Sequence, residues 1–74
     1  MSITQLDLAG LKCPLPVLKT RKALARMQKG DELHVICTDP MAAIDIPNLL
    51  RETGDHLARQ AREDSRLIFE IEKR

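Results

Sequence analysis

The chain has 74 residues, of which 43% are apolar and 31% charged, and its formal net charge is +1. These values predict one small globular domain over residues 1–74 and argue against a disordered chain. Two cysteines are too few for a secreted disulfide framework, and one aromatic residue argues against a base-stacking nucleic-acid surface. Neither a signal sequence nor a membrane-spanning stretch is recognisable, so we expect a cytoplasmic protein.

The first predicted element is a half-buried strand over residues 4–8, in which apolar and polar residues alternate. After a turn, the motif Cys-Pro-Leu-Pro occupies residues 13–16. Proline breaks a helix interior but is accepted in the first turn, where N–H groups have no intrahelical partner. The motif therefore predicts a helix that begins here with Cys13 as its N-cap, near the positive end of the helix dipole.

This first helix is predicted over residues 14–28, with Gly30 at the position that ends it. Residues spaced by three and four are expected to face the core, namely Val17, Thr20, Ala23, Leu24 and Met27. A basic stripe on the opposite face contains Lys19, Lys22 and Arg26, with Arg21 at its edge, and Lys12 lies beside Cys13. These cations are either an ordinary solvated face or a docking surface for an acidic partner.

The second half of the chain contains one helix between strands. A strand is predicted over residues 32–38, followed by a short turn over residues 41–44. Because a continuous helix does not readily accept Pro47, the second helix is predicted over residues 46–53, with Asp45 as its cap and Gly54 as its end. Two further strands are predicted over residues 57–63 and 66–72.

The predicted order is βαβαββ, which indicates an α/β (α+β) two-layer sandwich. The strand–helix–strand crossover makes strands one and two parallel, and the last two strands form an antiparallel hairpin. Two helices on one face of a four-stranded mixed sheet would bury the apolar stripes of all six elements.

Cys13 is the candidate nucleophile, because a thiolate is reactive and helix N-termini lower the pKa of a cysteine. Pro14 and Pro16 remove two N–H groups near the sulfur, which leaves Leu15 as the main close donor. The alternative interpretation is a small buried cysteine without chemistry.

No general base is evident for a cysteine hydrolase. His34 is expected away from Cys13, and both His34 and His56 are interpreted as solvated surface residues. A thiol that only receives and passes on sulfur needs no base of this kind, since persulfide transfer is displacement chemistry like thiol–disulfide exchange.

Cys37 ends the second strand, so a parallel pair places it at the same sheet edge as Cys13. It is interpreted as a core cysteine on the face of Leu33 and Val35, with a second, resolving thiol as the alternative.

The segment LDLAGLKCPLP, residues 6–16, resembles the signature of the TusA/SirA-like sulfur carrier proteins. The resemblance covers residues 4–73 in the family's order, and its Cys-Pro-x-Pro core is specific. Further matches are Arg21-Lys22-Ala23-Leu24, Gly30-Asp31, Thr38-Asp39-Pro40 and Asp45-Ile46-Pro47.

The resemblance implies a single functional cysteine, which corresponds to Cys13, in a site shaped by Pro14, Pro16 and Gly10. In the family this cysteine accepts sulfur as a persulfide from a cysteine desulfurase or rhodanese and hands it to a downstream relay protein. Across the family, the transferred sulfur is used in tRNA thiolation, sulfur oxidation and molybdenum cofactor synthesis. Cys37 has no role that the resemblance supplies.

The sequence thus predicts a sulfurtransferase-type carrier rather than an independent enzyme. We expect no cofactor, no metal, no direct binding of nucleic acid or membrane, and a monomer. Two other functions stay open: a redox or regulatory protein-binding module that uses Cys13 and Cys37, and a nucleic-acid binder that uses the lysines of the first helix. The near-neutral charge and the scarcity of aromatic residues weigh against the latter.

Overall fold

A computed structural model describes residues 2–74, so Met1 of the predicted domain lies outside the described residues. The predicted order βαβαββ is confirmed. The elements are β1 (Ile3–Leu8), α1 (Leu15–Ala25), β2 (Glu32–Cys37), α2 (Ala42–Thr53), β3 (His56–Glu63) and β4 (Arg66–Glu72). Within residues 2–74, neither helix is long and apolar enough to cross a membrane.

The four strands form one mixed sheet in the order β1-β2-β4-β3. β1 runs parallel to β2, with Leu8 opposite Cys37, as predicted. β4 is antiparallel to both β2 and β3, so the predicted C-terminal hairpin is also confirmed. The parallel pair brings the loops after β1 and β2 to the same edge of the sheet, which positions the candidate site.

The core lies between the helices and one face of the sheet. Alternate side chains of β2 and β4 point to this face, as the pleat of a strand requires. Cys37 is fully buried among them, so its interpretation as a core cysteine is confirmed. The buried sheet residues are Leu8, Leu33, Val35, Cys37, Leu67, Phe69 and Ile71, and the buried helix residues include Thr20, Leu24, Ile46, Leu49 and Leu50.

The limits of α1 differ from the prediction. Its N-cap is Pro14, and Cys13 lies one residue before it, so the assignment of Cys13 as N-cap is wrong. The helix ends three residues early, where the N–H groups of Arg26 and Met27 bond to the carbonyls three residues back, those of Ala23 and Leu24, at 3.1 Å each. Gly30 therefore does not end the helix. It has a φ of 95° in the turn before β2, where its N–H bonds to the Lys73 carbonyl at 2.9 Å.

The predicted break before α2 is also wrong. The helix begins at Ala42 and continues through Pro47 to Thr53, with Met41 as its N-cap. Proline removes one backbone hydrogen bond, but buried Ile46 and Leu49 on either side of Pro47 hold the segment on the sheet. Asp45 consequently lies inside the helix and does not cap it, whereas Gly54 ends it in the left-handed conformation, as predicted.

Candidate functional site

Two hydrogen bonds tie the loop after β1 to the loop after β2. The Gly10 N–H donates to Thr38 Oγ1 at 2.8 Å, and the Cys13 N–H donates to Asp39 Oδ2 at 2.6 Å. Both loops leave the same end of the parallel strand pair, which brings these partners within reach. The side chains of Thr38 and Asp39 thus hold the Cys13 loop in place.

Gly10 makes the turn that leads from β1 to Cys13. Its φ of 86° lies in the left-handed region that glycine adopts without strain. A Cβ added at this position would meet no atom within 4 Å, so conformation and not space favours glycine here.

Asp39 uses both carboxylate oxygens, since Oδ1 accepts the Met41 N–H at 3.0 Å while Oδ2 accepts that of Cys13. The bond from the Cys13 N–H, followed by that from Met41, lowers the pKa of Asp39 below its usual value near 3.8. A nearby Lys12 charge adds a smaller effect in the same direction.

We expect this clamp to depend on pH in the acid range. Because the folded state lowers the pKa of Asp39, its contribution to stability is complete above the usual aspartate value and is lost as the pH falls through the lower folded value. At pH 6 the contribution of the clamp is therefore complete. Hydrogen exchange of the Cys13 amide at this pH should be faster in Asp39→Ala than in the wild type, because the substitution removes the acceptor. Equal protection of this amide in the two proteins would contradict the clamp.

Cys13 is exposed, and its Sγ donates a hydrogen bond to Asp45 Oδ2 at 3.3 Å. The pKa of the thiol is raised, first by this bond, and further by desolvation and by the charges of Asp45 and Asp39. The predicted lowering of the pKa is therefore wrong in direction. The Leu15 N–H, expected near the sulfur, donates instead to the Lys12 carbonyl at 2.9 Å.

The two prolines shape the start of α1, one position later than predicted. The Cys13–Pro14 peptide bond is cis, and Pro16 is the second residue of the helix. Pro16 is buried, and its carbonyl accepts the Thr20 hydroxyl at 2.8 Å. The motif therefore anchors the helix start in the core while Cys13 stays at the surface.

Cys13 opens onto a groove of about 630 Å³ between α1 and α2. Two arginines reach into it, and each has a polar partner. Arg21 pairs with Glu52 at 3.2 Å, and Arg51 donates to Asn48 at 2.8 Å. The groove is lined by Cys13, Pro14, Val17, Arg21, Asp45, Asn48, Leu49, Arg51 and Glu52.

The five cations considered for docking a partner lie in three separate places. Arg21 lines the groove of Cys13, and Lys12 lies in the loop between Gly10 and Cys13. Lys19, Lys22 and Arg26 line a separate depression of about 210 Å³ beside Leu6 and Ala23. The structure therefore associates Arg21 and Lys12 with the cysteine and the other three cations with the β1 side of α1.

The remaining sequence candidates, Cys37, His34 and His56, are not among the residues that line the groove of Cys13. Cys37 is fully buried, and desolvation followed by the charge of Asp39 raises its pKa to about 11. His34 pairs with Glu32 at 3.3 Å, and His56 pairs in the sheet with Glu72, at the end opposite Leu8 and Cys37. Neither histidine lines the groove. These positions disfavour both a hydrolase and a Cys13–Cys37 redox pair.

Sequence reasoning missed Asp45 as a partner of the thiol because it treated this residue as a helix cap. It also missed four exposed apolar side chains at the starts of the helices that bring Cys13 and Asp45 together. Large exposed apolar groups mark protein-binding surfaces when they cluster. They are Leu15, Leu18, Met41 and Ile44, with Ile44 56% exposed. The helical pattern shows Leu15 and Leu18 outside the core-facing stripe, a signal that could have identified them.

Comparison with known proteins places the chain in a family. Residues 4–73 match the family described as sulfurtransferase TusA. The chain belongs to the TusA family. It is 41% identical over 69 residues to the sulfur carrier protein TusA of Allochromatium vinosum, covering 93% of this chain and 91% of the relative. The resemblance noted from the motif is therefore confirmed.

Two further relatives carry the description of putative sulfur carrier proteins. One, from Neisseria meningitidis serogroup B, is 47% identical over 64 residues and covers 86% of each chain. The other, from Archaeoglobus fulgidus, is 37% identical over 68 residues and covers 90% of this chain and 88% of its own. The family match over residues 4–73 includes both helices, the Cys13 loop and the four strands apart from Ile3.

Proposed function

We propose that this protein is a sulfur-relay carrier that accepts sulfur as a persulfide on Cys13 and transfers it to an acceptor protein. The observation that carries the proposal is the exposed thiol of Cys13, which lines a groove between the helices and whose backbone N–H is held by Asp39, while the second cysteine is buried. Membership of the TusA family and the names of the relatives support it.

The arrangement suits transfer more than hydrolysis. In loading, the Cys13 thiolate attacks the outer sulfur of a donor persulfide, and the donor thiolate leaves. This displacement needs one accessible nucleophile and neither a metal nor a cofactor. The raised pKa of Cys13 keeps the free thiol largely protonated, so reaction is expected mainly when a partner binds over the site.

The family resemblance suggests which partners to propose. The proposed donor is a cysteine desulfurase or a rhodanese, and the proposed acceptor is a downstream sulfur-relay protein, in a cytoplasmic pathway. Tests should cover tRNA thiolation, sulfur oxidation and molybdenum cofactor supply, which the family resemblance implies. Exposed Leu18 and Ile44 offer such a partner apolar contact, and Arg21, which lines the groove of Cys13, offers charge.

Incubation of the protein with a cysteine desulfurase and free cysteine is the direct test. The intact mass should increase by one sulfur atom, peptide mapping should locate that sulfur on Cys13, and a reducing thiol should remove it. If the sulfur were found only on Cys37, or if no sulfur were taken up from a desulfurase or a rhodanese persulfide, the proposed function would be wrong.

A further inference from the structure

The contact between Cys13 and Asp45 joins two segments that are 32 residues apart in the chain. The sulfur donates its proton to Asp45 Oδ2, and among residues 2–74 no side-chain hydrogen bond or backbone N–H contact is directed at Sγ as an acceptor. The thiol form of Cys13 is thus the form that this site binds.

Both sides of this contact are anchored. The Cys13 backbone is held by Asp39 Oδ2, as described above. Asp45 is held by α2, where its own N–H donates to the Met41 carbonyl at 2.8 Å and its neighbour Ile46 is fully buried. The carboxylate therefore stays near the sulfur without the entropic cost of ordering a free loop.

The charges around the sulfur favour a neutral group. A carboxylate accepts a hydrogen bond from a thiol but repels a thiolate or any other anion at the same place. Asp39 adds a second negative charge nearby. Among the ion pairs of residues 2–74, none places a cation on Asp45. Of the cations nearby, Arg21 is paired with Glu52, Arg51 donates to Asn48, and the Lys12 charge acts on Asp39.

We propose that Asp45 is a positioning residue that biases Cys13 toward releasing its sulfur. This inference rests on the proposed function and deepens it. A persulfide is more acidic than the corresponding thiol, so the loaded form is anionic over a pH range in which the empty form is neutral. Asp45 therefore stabilises the empty thiol by a hydrogen bond and destabilises the loaded persulfide by repulsion.

The release step balances without an oxidant or reductant. The acceptor thiolate attacks the outer sulfur of the Cys13 persulfide, which breaks the S–S bond at Sγ and forms a new S–S bond on the acceptor. Cys13 leaves as a thiolate and then takes up a proton. This proton is the one that the acceptor thiol lost when it became the attacking thiolate, or the one that the new persulfide on the acceptor loses. Sγ then donates this proton to Asp45, so the product of release is the hydrogen-bonded thiol observed here.

The test compares Asp45→Asn with a matched control, Glu63→Gln. The control removes one carboxylate at the same end of the sheet, and the Glu63 side chain takes part in none of the side-chain hydrogen bonds or ion pairs of residues 2–74. Alkylation of Cys13 by iodoacetamide is followed as a function of pH. We expect the profile of Asp45→Asn to shift to lower pH by roughly half a unit or more, and that of Glu63→Gln to coincide with the wild type.

A second measurement addresses sulfur directly. Each protein is equilibrated with a mixture of glutathione persulfide and glutathione, and the fraction loaded on Cys13 is determined by mass. Asp45→Asn should shift this equilibrium toward the loaded form by roughly threefold, the change that half a pH unit implies. A merely structural role of Asp45 would not produce this shift together with the change in the pH profile.

Coincident alkylation profiles of Asp45→Asn and the wild type would overturn the inference, as would an unchanged or smaller loaded fraction. Far-UV circular dichroism identifies a variant that has failed to fold, in which case Asp45→Ser is measured in its place. The alkylation profile requires no sulfur, so it tests Asp45 even if the wild type failed to load. Failure of the wild type to load would instead contradict the proposed function.

Discussion

Cys13→Ser is expected to abolish sulfur loading completely, whereas Cys37→Ala is expected to load like the wild type. Serine is close to cysteine in shape and keeps a hydrogen-bond donor, but its hydroxyl does not form a persulfide. Cys37 is fully buried beneath the helices, and burial raises the pKa of its thiol to about 11, so it is neither accessible nor ionised at neutral pH.

The measurement is the mass of each protein after incubation with a cysteine desulfurase and cysteine. Because Cys37 packs in the core, the alanine variant should lose on the order of 1 kcal/mol of stability through a small cavity, which leaves it folded. Circular dichroism checks this. If loading survived in Cys13→Ser, or disappeared in a folded Cys37→Ala protein, the assignment of sulfur loading to Cys13 would be wrong.

Among single substitutions in the core, Phe69→Ala is expected to cause the largest loss in the free energy of unfolding. Phe69 is the largest fully buried side chain and lies on β4 in the middle of the core. Truncation of a buried phenylalanine costs about 3–5 kcal/mol, because apolar contacts are lost and the cavity collapses only partly. A small domain has a free energy of unfolding of only about 5–15 kcal/mol, so the variant should be close to unfolding at 25 °C.

Ile68→Ala is the matched control for this prediction. Ile68 is next to Phe69 in the chain, but its side chain points to the opposite, uncovered face of the sheet and is only partly buried. Urea denaturation of both variants should therefore give a much lower midpoint for Phe69→Ala than for Ile68→Ala. Equal midpoints would mean that the helices do not cover the face on which Phe69 lies.

Much of the fold followed from local patterns. The alternation in residues 66–72 predicted β4 with its observed limits, and Gly54 marked the end of α2. These signals are local because a strand's two-residue period and a glycine's left-handed conformation depend on neighbours in the chain. The limits that failed, at Cys13, Gly30 and Pro47, are those where burial or a hydrogen-bond partner distant in the chain outweighs the local preference.

The sequence alone determined where the candidate nucleophile stands, because a cysteine between a strand and two prolines lies at a helix entrance whatever surrounds it. Only the tertiary structure decided in which direction the pKa of that cysteine shifts. Its partners Asp39 and Asp45 are 26 and 32 residues away in the chain, and they reach it because β1 and β2 run parallel and end together. The direction of a pKa shift depends on such distances, so a thiol expected to be acidic is held as a neutral hydrogen-bond donor.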